Sequence, residues 1–127
     1  MDHLDYANEL RHIAQEFKQY AFEYKKERAL YAEALNKLTS LIEVTGLHDD
    51  KASFENKLTK LLATSEANIA RVYIEQLNTS RANYKGWEMV LESYKAQISA
   101  IQSVIKYNLN SEINYNIANK AERNAIW

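Results

Sequence analysis

The sequence predicts an all-α chain: a long antiparallel helical hairpin of coiled-coil type, with a short C-terminal helix or tail, assembled as an oligomer. Three observations predict it. The 127 residues include no proline and only two glycines, Gly46 and Gly86, so the chain lacks the turn residues that many short elements need. Apolar residues recur at alternating three- and four-residue spacing through two long stretches, which is the pattern of a helix seam. One polar segment, VTGLHDDKAS at residues 44–53, separates the two stretches.

The first stretch predicts a helix from about residue 4 to 44. One core position takes Ala7, Ala14, Ala21, Arg28, Leu35 and Ile42, and the other takes Leu10, Phe17, Tyr24, Tyr31 and Leu38. At about 1.5 Å per residue this helix is roughly 60 Å long and must find a partner. In the turn, residues 45–53, Gly46 suits a helix C-terminal cap, and Asp49, Asp50 or Ser53 can cap the helix that follows.

The second helix is expected over about residues 54–107, with an irregularity near ATSEAN at 63–68. Its seam takes Ala63, Ala70, Leu77, Tyr84, Leu91, Ile98 and Ile105 at one position, with Tyr73, Ser80, Trp87, Tyr94 and Ile101 at the other. The aromatic stretch NYKGWEMVLESYKAQI, residues 83–98, therefore points Tyr84, Trp87 and Tyr94 into the seam. Gly86 beside them is expected to let another backbone approach or to relax the helix. Residues 1–109 thus form the hairpin, and residues 110–127 form a short helix with Ile113, Ile117 and Ala121 on one face, or a flexible tail. The second helix outlasts the first, leaving Ile98, Ile101, Val104 and Ile105 on an overhang. Each such side chain gains roughly 1.5–3 kcal/mol from full burial, so oligomerisation is expected.

Composition excludes several classes of function. A net charge of −1 supplies no global positive field for a polyanion. With no cysteine, disulfides, thiolate chemistry and the commonest structural zinc sites are ruled out. The start, MDHLDYANEL, lacks the basic and apolar regions of a signal peptide, and no apolar run reaches membrane-spanning length. A cytoplasmic location is the expectation, in the host cytoplasm if the chain is phage-encoded.

No enzyme, metal or cofactor is expected either. Glu9 and His12 in ELRH have the spacing seen in carboxylate-bridged di-iron bundles, but the second copy that such sites need is missing. His48, Asp49 and Asp50 cluster in the turn, where helix capping is the simpler use. No serine sits in an elbow motif, and two isolated glycines make no phosphate-cradling loop.

The charges are more informative. Arg11, Lys18 and Lys25 flank the seam of the first helix, where interhelical pairing is the simpler role. Arg28 falls at a core position between Tyr24 and Tyr31, where it must find a carboxylate or snorkel. On the second helix Arg71, Arg81, Lys85, Lys95 and Lys106 form a stripe interrupted by Glu88 and Glu92. Spaced cations of this kind can track a nucleic-acid backbone, which makes these five the candidate nucleic-acid contacts. Tyr84, Trp87, Leu91, Tyr94, Ile98, Ile101 and Ile105 are the candidate core and oligomer-packing residues.

In layout, residues 20–107 resemble the phage recombination mediator family typified by UvsY. The segment LLATSEANIARVYIEQLNTSRANYKGWEMVLESYKAQISAIQS looks like that family's long central helix with mid-helix aromatics. The resemblance implies a homo-oligomeric accessory protein that binds single-stranded DNA and meets a single-strand-binding protein or a recombinase. It would assign phosphate contacts to Arg81, Lys85, Lys95 and Lys106 and packing to Trp87. The alternative is a protein-interaction module (an adaptor, inhibitor or assembly chaperone) that binds no DNA.

Overall fold

A computed structural model describes residues 3–47 and 51–126, with the side chains of residues 5–47 and 51–120. The described residues form three helices: α1 (His3–Val44), α2 (Phe54–Leu61) and α3 (Ala67–Ile126). The chain divides into two units. One holds Tyr20–Met89, and the other holds the residues up to Gln19 together with those from Val90.

In the Tyr20–Met89 unit, α1 and α3 pack antiparallel. Tyr20 stacks on Trp87, while Gln76 Nε2, nearer the start of α3, donates at 3.0 Å to the carbonyl of Leu30, further along α1. The core sits where all three helices meet. Ala34, Leu38 and Ile42 of α1, Leu61 of α2, and Ala70 and Leu77 of α3 are buried together, with Phe54, Leu58, Leu41 and Tyr73 packed around them. In the other unit Ile13 and Leu91 are buried, while Tyr6, Leu10, Phe17, Tyr94, Ile98, Ile101 and Ile105 are half-buried.

The turn is built as its residues require. Gly46 has φ of +78°, a conformation that costs an L side chain strain, and its N–H donates to the carbonyl of Glu43 at 3.1 Å. Ser53 caps α2 by accepting from the Asn56 N–H at 3.3 Å. Asp49 and Asp50, the other expected caps, lie outside the described residues.

Three expectations are corrected. The expected second helix is two: α2 ends at Leu61 and α3 begins at Ala67. Thr64 makes the break, donating its hydroxyl to the carbonyl of Leu61 at 2.6 Å and accepting from the Glu66 N–H at 3.2 Å, so a side chain competes with the helical ladder. Ala63, placed in the seam by periodicity, is exposed in this break.

The C-terminal segment is neither a separate helix nor a tail, because α3 is continuous to Ile126. No proline follows, nor any glycine after Gly86, so nothing in the sequence ends the helix.

The third correction is one of phase. In α1 the position of Leu10, Phe17, Tyr24, Tyr31 and Leu38 is buried or half-buried throughout, but its companion runs through Tyr6, Ile13, Tyr20, Glu27, Ala34 and Leu41. That is one residue before the expected series, in which Ala14 and Arg28 are exposed, although Ala7 and Ala21 are half-buried and, at the end of α1, Ile42 stands in the core with Leu35 packed against it, as expected. Covering Ile13 and Tyr20 removes more apolar surface from water than covering Ala14 and Ala21.

Candidate functional site

Helix α3 carries the five cations of the predicted stripe, and they do not make one site. Arg71, Arg81 and Lys85 belong to the Tyr20–Met89 unit, and Lys95 and Lys106 to the other. Arg71, Lys85, Lys95 and Lys106 are exposed and Arg81 is half-buried. Lys95 Nζ lies 3.3 Å from Glu92 Oε1, its neighbour one turn earlier. Arg81 and Lys85 stand one helical turn apart and share a face.

The aromatic side chains work inside the helix packing. Tyr20 and Trp87 stack at 5.2 Å between centroids. Tyr84, buried, meets Tyr31 edge-on at 5.2 Å and Tyr24 edge-on at 6.3 Å. In the other unit the Tyr94 hydroxyl donates to Glu16 Oε2 at 2.6 Å. Trp87 and Tyr94 are half-buried, as are Ile98, Ile101 and Ile105, whereas Leu91 is buried.

Arg28 is the residue that periodicity misplaced. Instead of entering the core it lies at the surface, its guanidinium 4.6 Å from the Tyr84 ring centroid and 5.9 Å from that of Tyr31. The guanidinium of Arg81 approaches the same Tyr31 ring at 5.7 Å. Arginines from two helices therefore both approach the Tyr31 ring. The usable signal in the sequence was the three-residue spacing of Arg28 and Tyr31, which sets the cation beside the aromatic on α1.

The enzyme-like groupings come apart. His12 Nε2 contacts Glu16 Oε1 at 2.8 Å rather than pairing with Glu9, which is exposed. Among the described residues no group of three or more His, Cys, Asp or Glu side chains is placed to hold a metal. The turn cluster of His48, Asp49 and Asp50 lies outside them. An open cavity of about 190 Å³ lies between α1 and α2, lined by Thr39, Ile42, Glu43, Phe54 and Lys57.

The other distinctive surface is apolar. Late in α3, Leu109, Ile113 and Ile117 are 42%, 54% and 62% exposed, spaced four residues apart in a single row. Val104, Tyr107 and Tyr115 are exposed on the same stretch. Past Asn108 every described side chain of α3 except Asn119 is exposed, so among the described residues this part of the helix has no partner. Among the described residues no helix is long and apolar enough to cross a membrane.

No protein-family model, no curated protein and no solved structure matches this chain.

Proposed function

We propose that this chain is a non-enzymatic, homo-oligomeric helical accessory protein whose copies associate through the end of α3, and that it serves in DNA recombination or the handling of single-stranded DNA. The observation that carries the oligomeric reading is the exposed row Leu109, Ile113 and Ile117 on a stretch of α3 that nothing covers among the described residues. A row at four-residue spacing fits the grooves of another helix, and a second copy supplies the same row. The single-strand role draws on the layout resemblance and on the exposed cations Arg71, Lys85, Lys95 and Lys106.

Sedimentation velocity of the intact protein and of I113D/I117D tests the first part. The wild-type chain sediments as an oligomer and the double variant as a monomer with unchanged helicity; a monomeric wild-type chain at high micromolar concentration overturns it. Fluorescence anisotropy with labelled single-stranded and duplex DNA at two salt concentrations tests the second. Preferential single-strand binding that weakens steeply with salt supports it, and absence of binding at low salt refutes it.

A specific observation favours a second reading, an interaction module that binds protein and no DNA. Trp87 is stacked on Tyr20 and Tyr94 is tied to Glu16, so neither ring stands free as a platform for bases. Under this reading the end of α3 docks on a different protein, and cross-linking from Ile113 captures that partner in place of a second copy.

A further inference from the structure

The Tyr20–Met89 unit carries an unneutralised pair of arginines. The guanidinium carbons of Arg28 and Arg81 lie 5.9 and 5.7 Å from one and the same ring centroid, that of Tyr31, so their separation cannot exceed those two distances together. Arg28 also covers the Tyr84 ring at 4.6 Å. Among the described residues neither guanidinium has a carboxylate within ion-pairing distance or a hydrogen-bond partner. Arg28 is exposed, and half-buried Arg81 has no buried nitrogen without a partner, so their N–H donors face solvent.

Two features make this more than a solvated patch. Both guanidiniums lie within cation–π distance of a tyrosine ring, and each keeps a planar fork of N–H donors suited to an oxyanion. Neither arginine is ion-paired to a described acid, half-buried Glu27 of the α1 seam included, while Lys25 and Lys85, each one turn away along its helix, add to the same sign. On α3 the positive stretch is bounded by Glu88 and Glu92, so the field is confined to a short patch. A compact, multiply charged anion suits that patch better than a long polyanionic strand. Fork-shaped donors match phosphate oxygens in a bidentate manner, and two of them match a group carrying two charges.

We propose that Arg28 and Arg81, mounted on Tyr31 and Tyr84, form a binding site for a phosphomonoester dianion. The site does not rest on the oligomeric or single-strand readings above, since it lies within one unit and uses neither the end of α3 nor a nucleic-acid backbone.

The test uses the full-length protein at constant ionic strength. Inorganic phosphate, and separately a short Gly-Ser peptide bearing one phosphoserine, are titrated while the arginine Nε–Hε signals are followed by NMR. Saturable shifts confined to two arginine signals are expected, with equal chloride giving none. Arg28→Gln and Arg81→Gln should each weaken binding about tenfold or more, R28K should weaken it severalfold by keeping charge without the fork, and Arg71→Gln should leave it unchanged. Circular dichroism confirms that each variant remains folded. Tighter binding of the peptide assigns the site to a phosphorylated side chain on a partner; equal or tighter binding of inorganic phosphate assigns it to a free phosphate compound. Absence of saturable shifts overturns the proposal. So does an equal loss in R71Q and R28Q, which would mean that net charge alone is read.

Discussion

At the scale of single residues, the two glycines show how the same side chain serves opposite ends. Gly46 has a positive φ at the end of α1, whereas a Cβ added at either glycine would meet no atom within 4 Å. The consequence of replacement is therefore set by backbone conformation and not by crowding. Gly46→Ala should cost about 1–2 kcal/mol, the penalty of the left-handed region. Gly86→Ala, inside α3, should raise stability by about 0.5–1 kcal/mol, since glycine is a poor helix residue and no backbone approaches it. Urea denaturation followed by circular dichroism reads both signs, and a destabilised G86A would show that some contact depends on the missing Cβ. Leu38 is fully buried among all three helices. Leu38→Ala should cost about 2–5 kcal/mol in the same assay, from lost transfer energy plus the cavity left behind.

At the scale of elements, the short helix depends most on its surroundings. α2 has 8 residues, too few to be stable alone in water, and its order comes from Phe54, Leu58 and Leu61 packing against α1 and α3. The cap matters correspondingly. Ser53→Ala removes the acceptor for the Asn56 N–H and should cost about 1 kcal/mol. Hydrogen exchange should register this as faster exchange across α2, with the amides of α1 between Tyr20 and Leu38 unchanged. The long helices behave differently. In α1 a three-four repeat admits two neighbouring phases, and the one that buries Ile13 and Tyr20 prevails. Arg28 is thereby released from the seam and becomes available over Tyr31 and Tyr84.

At the scale of the whole molecule, the unequal helices set what remains to be covered. α1 has 42 residues and α3 has 60, so α3 cannot be covered along its whole length by α1. The surplus carries Leu109, Ile113 and Ile117 in one row, and leaving three such side chains in water forgoes several kcal/mol, at roughly 1.5–3 kcal/mol each. Thermal unfolding should therefore depend on protein concentration, with Tm rising as the chain is concentrated. In I113D/I117D that dependence should vanish. A concentration-independent Tm in the wild-type chain would argue against association through this face.

The amino-acid sequence by itself determined the helical class, the turn at Gly46, a choice of three caps that includes Ser53, and the seam of α3 from Ala70 to Ile105. These follow from local chemistry: absence of proline, a glycine where φ must be positive, a hydroxyl where an N–H is orphaned, and a repeat that puts Leu77, Tyr84 and Leu91 on one side. The sequence also placed an irregularity at 63–68, which Thr64 turns into a full break; the tertiary structure alone decided the phase of the α1 seam before Leu35 and the surface position of Arg28. Each is a choice between local alternatives of similar energy, settled by which one buries more apolar surface against a neighbouring helix. Arg81 could be picked out along α3 as a cation, but its meeting with Arg28 over Tyr31 joins residues far apart in the chain, and only packing brings them together.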